Sequence, residues 1–339
     1  MKKIKVEDAA GTVLAHDITR IVPGKFKGAA FKKGQVVRRE DIGKLIEIGK
    51  RHLYVLELSD DELHENEAAL RIAAAVSGKN LIWSAPHEGK TNISAKTAGM
   101  LKVDTGRLLQ INKLGDIILS TLKNCFPCAE NQILAATRII PLVISREKIE
   151  RLEKIAKGKS AVLNLSPFRK MRVGAVITGS EIYEGLIPDE FDTYVGKKLV
   201  DYECRLVEKI IVPDDPLKIS GAIRKLKKLG CELVITTGGL SVDPDDVTVN
   251  GIKQSGAEII VYGSPVLPGA MFLYAVMEKT HILGLPACVY YHGITIFDIV
   301  LPRLLAGVPI TADSIAELGH GGLCLNCREC RYPLCPFGK

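Results

Sequence analysis

Val234-Ile235-Thr236-Thr237-Gly238-Gly239-Leu240-Ser241-Val242 is the stretch on which the fold turns. Leu233 to Thr236 shows no alternation of apolar and polar residues, which reads as a short strand buried on both faces. Gly238-Gly239 then turns the chain. Upstream, Asp214-Asp215-Pro216 opens a helix that runs to Gly230, with aspartate at its start and proline in its first turn. Before it come a strand from Leu206 to Val212, a helix from Asp192 to Arg205 and an apolar strand from Arg172 to Thr178. Downstream the pattern gives a helix near Val247 to Ser255 and a strand from Glu258 to Tyr262. A segment near Ala270 to Lys279, a strand from His281 to Leu285 and a helix near Gly293 to Leu305 complete it. Non-alternating strands at helix-length intervals predict an α/β domain over residues 171–308, a three-layer, doubly wound, mainly parallel sheet covered on both faces.

At 339 residues the chain is longer than one core usually supports. Residues 1–60 read as a small β-rich module of brief strands with one helix from Asp41 to Ile48. Residues 61–165 read as a second α+β module, with helices expected over Asp61 to Ser77, Asp116 to Leu122 and a linker helix Glu147 to Lys157. Residues 309–339 form a glycine- and cysteine-rich tail.

The composition is 47% hydrophobic and 25% charged, as in a folded globular protein, and the net charge of +7 favours anionic partners without naming one. Only 5% of residues are aromatic, and there is no helix-turn-helix pattern or long basic arm, so a nucleic-acid partner is not expected. The amino terminus lacks an apolar run after its lysines, and the stretch from Ile133 to Ile144 is too short to span a bilayer. The expectation is a cytoplasmic protein with no membrane partner.

In an open α/β sheet the ligand site lies beyond the carboxyl ends of the strands. Three loops fall there: Thr178-Gly179-Ser180-Glu181, continuing to Gly185 and Asp189; Thr236 to Ser241, continuing to Asp245 and Asp246; and Leu285-Pro286-Ala287. Glycines beside hydroxyls can bring backbone N–H groups and Ser or Thr oxygens to a phosphate. Glu181, Asp245 and Asp246 could hold a divalent cation or steer a group in transfer. Taken singly, each loop reads as an ordinary turn or helix cap. Together, at one set of strand ends, they read as a site.

With these motifs in view, residues 171 to about 305 resemble the molybdopterin-binding domain shared by molybdenum insertases (molybdopterin molybdotransferases) and molybdopterin adenylyltransferases. Thr236-Thr237-Gly238-Gly239 looks like the family's Thr-Thr-Gly-Gly signature, and Asp245 or Asp246 falls where an acidic residue follows it. Thr178-Gly179-Ser180-Glu181 resembles Thr-Gly-Asp-Glu, with Gly185 and Asp189 after it. Pro268-Gly269-Ala270 resembles a Pro-Gly-Lys element, and Leu285-Pro286 the start of Leu-Pro-Gly-Asn-Pro. The sequence departs from the pattern at Ser180, which replaces an aspartate, and at Ala287-Cys288-Val289, which replaces Gly-Asn-Pro.

The resemblance implies molybdopterin or its adenylylated form as ligand, with molybdate as metal source and Mg2+ at the carboxylates. Thr178, Gly179, Ser180, Asp189, Thr236, Thr237, Gly238, Gly239, Ser241, Pro268, Gly269, Leu285 and Pro286 would contact the pterin. Glu181, Asp245 and Asp246 would act in catalysis. It implies an insertase-like transferase that places molybdenum into the pterin dithiolene, working as a homo-oligomer, a dimer before a trimer. The alternative is a non-enzymatic carrier or sensor serving a client molybdoenzyme through the tail.

The tail is the second motif. Cys324-x2-Cys327-x2-Cys330-x4-Cys335-Pro336 puts four thiols at a density suited to a [4Fe–4S] cluster or a tetrahedral zinc site. The last gap is one residue too long for a ferredoxin run, and zinc sites usually space their Cys-x2-Cys halves more widely. The expectation is an iron–sulfur cluster or Zn2+, iron–sulfur slightly ahead.

Overall fold

The computed structural model describes residues 2–338 except Gly24, residues 56–58, Pro141 and residues 242–246. The chain divides into two units: Met1–Thr97, Leu101–Asn124 and Cys128–Leu165 in the first; Ala98–Met100, Cys125–Pro127 and Ser166–Lys339 in the second.

The second unit is built on a six-stranded sheet. Its strands are β1 (Arg172–Thr178), β2 (Arg205–Val212), β3 (Leu233–Thr237), β4 (Glu258–Tyr262), β5 (Leu273–Met277) and β6 (Thr280–Leu285). The spatial order is β2-β1-β3-β6-β5-β4. The first four run parallel, whereas β5 is antiparallel to both β6 and β4. The expected mainly parallel sheet is therefore present, with an antiparallel strand near one edge.

Successive side chains of a strand point to opposite faces, and both faces here are apolar. On one side Val173, Ala175, Ile177 and Ile235 pack with Phe191, Val195, Leu199 and the helix Ile296–Leu305. On the other, Val176, Val234 and Ile282 pack with Ile219, Ile223 and Leu226 of the helix Pro216–Lys228 and with Ile252 of the helix Thr248–Gln254. This double coverage is the three-layer α/β fold expected above. Each fully buried Val, Leu, Ile or Phe contributes roughly 1.5–3 kcal/mol of transfer free energy, so the two layers dominate the unit's stability.

Helix ends follow local chemistry. Asp215 Oδ1 accepts from Leu217 N at 2.8 Å and Lys218 N at 3.3 Å, satisfying two of the N–H groups that a helix start leaves open. Thr295 and Asp298 form a reciprocal capping box on Ile296–Leu305.

The first unit contains several small sheets. Lys2–Lys5 pairs with His52–Val55, and Ile18–Val22 with Phe26–Phe31, both antiparallel. Val6, Leu14, Ile18, Leu45 and Leu53 form a core beneath them. A four-stranded sheet follows, in the order Leu81–Trp83, Thr91–Ala95, Ile133–Ile139, Ile117–Thr121. The helices Glu65–Val76 and Arg146–Ala156 are joined by a two-pronged ion pair, Arg71 to Glu153 at 2.9 and 3.0 Å. The helix expected over Asp116 to Leu122 is instead the strand Ile117–Thr121, with alternating buried and exposed positions over Ile117 to Ser120. No helix among the described residues is long and apolar enough to cross a membrane.

Candidate functional site

Strand register brings the glycine loops together. Ile177 lies opposite Thr237, and Thr237 opposite Leu285, so the chain after β1, β3 and β6 leaves the sheet along one carboxyl edge. Leu273, where the chain re-enters after Pro268-Gly269, lies opposite Gly284 at that same edge.

At the centre is the turn after β3. Gly238 has φ +87°, and a Cβ there would stand 2.5 Å from the Thr178 carbonyl oxygen; Gly239 has φ +57°, and its Cβ would stand 2.5 Å from Thr248 Oγ1. Only glycine fits both the left-handed backbone and the space. Thr178 Oγ1 donates to the Thr237 carbonyl at 3.0 Å and meets Thr248 Oγ1 at 3.1 Å, while Thr248 N donates to the Gly239 carbonyl at 3.1 Å. A buried hydroxyl network thus locks the turn to β1 and to the helix Thr248–Gln254.

Thr236 and Thr237 play different parts. Thr236 is fully buried and its hydroxyl donates to the Leu283 carbonyl at 3.5 Å, within the sheet. Thr237 is 1% exposed, and its Oγ1 has no hydrogen bond of good geometry. Tyr290 is a polar neighbour: burial pushes its phenol up, and the Thr237 hydroxyl draws it partly back. A buried hydroxyl left open costs about 1–3 kcal/mol, which makes Thr237 an unusual feature at a strand end.

The first loop is organised differently from the expectation. Gly179 has φ +142°. Ser180, standing where the family pattern has aspartate, is held by Asp214: its N–H and Oγ both contact Asp214 Oδ2, at 2.8 and 3.1 Å. Glu181 is exposed. Asp189 accepts from Phe191 N at 2.9 Å and pairs with Lys209 at 2.6 Å; Lys209 also reaches Asp192 at 2.6 Å. Burial pulls the Lys209 ammonium down, but the two carboxylates outweigh it and hold its pKa above the usual lysine value.

Leu285 and Pro286 are buried and lead into a short 3-10 turn, Ala287–Tyr290. Ser241 is exposed. Gly269 has φ +137°, and a Cβ there would strike Ile296. Ile296 N donates to the Pro268 carbonyl at 3.1 Å, which seats that loop on the start of a core helix. Asp245 and Asp246, named above as catalytic candidates, lie outside the described residues.

Sequence reading missed Tyr290, Tyr194, Lys209, Asp214 and Thr248. Tyr194 and Tyr290 meet edge to face with ring centres 6.0 Å apart, and Lys209 sits in the middle of β2. They are separated along the chain by up to about a hundred residues, and only the sheet order unites them. Proline at 213 and two aspartates after it were the one local signal for Asp214.

The expected metal centre in the tail is corrected by the structure. Among the described residues no group of three or more His, Cys, Asp or Glu side chains is placed to hold a metal ion. Cys324, Cys327, Cys330 and Cys335 are free. Cys324 and Cys335 pack against the apolar layer that also holds Phe337, whereas Cys327 and Cys330 are exposed. Partly buried thiols behave as small hydrophobes, which suits Cys324 and Cys335 to that layer. The iron–sulfur and zinc expectations for the tail are thereby overturned, and the described residues form no Mg2+ site either, Asp245 and Asp246 lying outside them.

Residues 174–306 match the family model described as a probable molybdopterin binding domain, and residues 3–57 match a domain of unknown function. A CinA-like protein of Mycobacterium tuberculosis is 31% identical over 91 residues, 26% of this chain and 21% of that protein. The CinA-like protein of Mycobacterium leprae is 33% identical over 83 residues, 24% and 19% respectively. The matched stretch thus spans about a fifth of these curated relatives. Among solved structures, CinA from Thermoplasma acidophilum has 19% identity and a TM-score of 0.33, covering 36% of this chain and 90% of that one. The molybdopterin biosynthesis enzyme MoaB from Thermus thermophilus has 19% identity and a TM-score of 0.31, covering 44% and 96%. The family match coincides with the sheet, the Gly238-Gly239 turn and the carboxyl-edge loops, and it is residues 174–306 of this chain that are similar to the probable molybdopterin binding domain.

Proposed function

We propose that this chain binds molybdopterin or its adenylylated form at the carboxyl edge of the sheet and acts in molybdenum-cofactor assembly as an insertase-like protein. The observation that carries the reading is the hydroxyl of Thr237, buried with only a loose contact to Tyr290 and set beside two glycines that no larger residue can replace. A fixed acceptor and donor next to bare backbone suits the phosphate of a pterin ligand, which needs N–H and O–H groups at close range. In this reading Thr178, Gly179, Ser180, Thr237, Gly238, Gly239 and Ser241 surround the phosphate, and Leu285-Pro286 and Pro268-Gly269 border the ring. Glu181, Asp245 and Asp246 steer the transfer of molybdenum from molybdate, with hydrolysis of the adenylyl group.

A second reading has one observation in its favour. Ser180 takes the place of a charged residue, and both its polar groups are engaged by Asp214. A site with fewer free carboxylates suits a carrier or sensor that holds the cofactor for a client enzyme. Anaerobically purified protein supplied with adenylylated molybdopterin and molybdate separates the two. Molybdate-dependent formation of active cofactor supports the insertase; stoichiometric pterin without turnover supports the carrier. Neither result would leave the proposal standing if pterin failed to bind.

A further inference from the structure

The positive charge of the chain is concentrated at one end. Residues 1–55 hold 13 of the 46 lysines and arginines but only 6 of the 39 aspartates and glutamates, a net +7 that equals the charge of the whole chain. Nearly the same stretch, residues 3–57, is the one that matches a domain of unknown function. Arg20, Lys25, Lys27 and Lys44 are all exposed within it. Among the described residues the Arg20 guanidinium makes neither a hydrogen bond nor an ion pair, and the Lys44 ammonium reaches only Asp41, at 4.0 Å.

The same stretch carries an unpaired strand edge beside a cavity. Ile18–Val22 and Phe26–Phe31 form a sheet of two strands, and no further strand among the described residues pairs with Ile18–Val22. A cavity of about 700 Å3 lies between that strand and the end of the helix Asp41–Glu47. Residues 19–22 line it one after another, together with Phe31, Lys44 and Glu47. Successive side chains of a strand point to opposite faces, so a groove lined by four in a row follows the strand's edge, where backbone N–H and C=O groups are open. Four residues at about 3.4 Å each give that edge a length of roughly 14 Å, enough for an added strand of similar length.

An open edge is ordinarily a hazard, because a second copy of the chain can pair with it. Here a second copy would bring its own Arg20 against the first, like charge on like. A strand of opposite charge is drawn to the same edge, with main-chain hydrogen bonds supplying affinity and side chains supplying selection. Nucleic acid offers the charge without a backbone that can continue a sheet. We propose that the edge of Ile18–Val22 docks an extended acidic segment of a partner protein, which adds as a third strand and pairs its carboxylates with Arg20 and Lys44. Two carboxylates work against it: Glu47 in the lining and Glu88, which accepts from Thr19 Oγ1 at 3.4 Å.

The test titrates the full chain, at physiological salt, with a fluorescent acetylated peptide amide of alternating glutamate and valine. Saturable binding is expected, and none by the counterpart with lysine for glutamate. Two further versions carry N-methyl groups, one on every valine and the other on every glutamate. Alternate N–H groups of a strand face one neighbour, so one version should lose about tenfold or more in affinity while the other keeps it. Arg20→Glu should weaken the acidic peptide about tenfold and Glu47→Gln should tighten it. Both side chains are exposed, so the thermal midpoint of each variant should stay that of the parent. Absence of saturable binding overturns the proposal. So does an equal effect of the two N-methylated versions, or equal competition by an oligothymidylate of matching charge, since charge alone would then be recognised. Self-association in sedimentation that Arg20→Glu abolishes would make the edge an interface between copies of this chain, and overturns it as well.

Discussion

Thr237→Val should make the free protein more stable and the liganded protein weaker. Valine keeps the shape of threonine and replaces the hydroxyl by a methyl group. Thr237 is 1% exposed and its Oγ1 is unsatisfied, so the substitution removes a penalty of about 1–3 kcal/mol while opening no cavity. Taking the lower end, a gain of about 1 kcal/mol raises the midpoint of a unit this size by roughly 2–4 °C. If the hydroxyl serves the ligand, the same change costs about 1.4 kcal/mol of binding, a tenfold loss of affinity. Thermal unfolding of the pterin-free protein reads the first quantity, and fluorescence titration with molybdopterin reads the second. A midpoint several degrees lower in Thr237→Val would refute the reasoning, because it would mean that the hydroxyl works in the fold, with Tyr290 as its partner. Unchanged affinity would refute the functional half.

Four other substitutions probe the account. Gly238→Ala forces a Cβ to 2.5 Å from a backbone oxygen at φ +87°, and should cost about 2–4 kcal/mol by chemical denaturation. Asp215→Ala removes the cap on Pro216–Lys228 and should cost about 1 kcal/mol in the same assay. Phe337→Ala, at a site 3% exposed within the apolar layer, should cost about 3–5 kcal/mol, showing that the end of the tail belongs to the fold although its thiols hold no metal. His281 is depressed by burial and accepts or donates at Tyr274 Oη, 2.9 Å away. Its contribution is therefore complete above the ordinary imidazole value of 6.5 and is lost as pH falls through the lower folded value. Unfolding free energy measured at successive pH values should fall less steeply with acidification in His281→Gln than in the parent protein.

The second unit was legible because its strands are buried on both faces and its helices start with recognisable caps. Val173 to Ile177 and Leu233 to Ile235 are continuous apolar runs bounded by helix-length intervals, a pattern few other folds produce. The first unit was harder. Ile117-Ile118-Leu119 is too short for its period to separate a strand from a helix, and the answer came from pairing with Ile133–Ile139, a partner at a distance along the chain. The Gly238-Gly239 turn could be read at once, since glycine after a buried strand has few other uses. Tyr290 and Lys209 could not, because nothing local marks them and sheet order alone places them near Thr237 and Asp189. The tail shows the opposite error. Close spacing of four cysteines suggested convergence, but spacing does not determine direction, and Cys324 and Cys335 turned inward to the apolar layer.

The central claim is that the carboxyl edge of the α/β unit takes a pterin phosphate. Its most direct test is to purify the protein anaerobically, load it with adenylylated molybdopterin and quantify bound pterin beside Thr237→Val and Gly238→Ala, with folding of each checked by circular dichroism. The account predicts about one pterin per chain in the parent protein and a clear loss in both variants, each still folded. A parent protein that retains no pterin, or folded variants that retain as much as the parent, would contradict it.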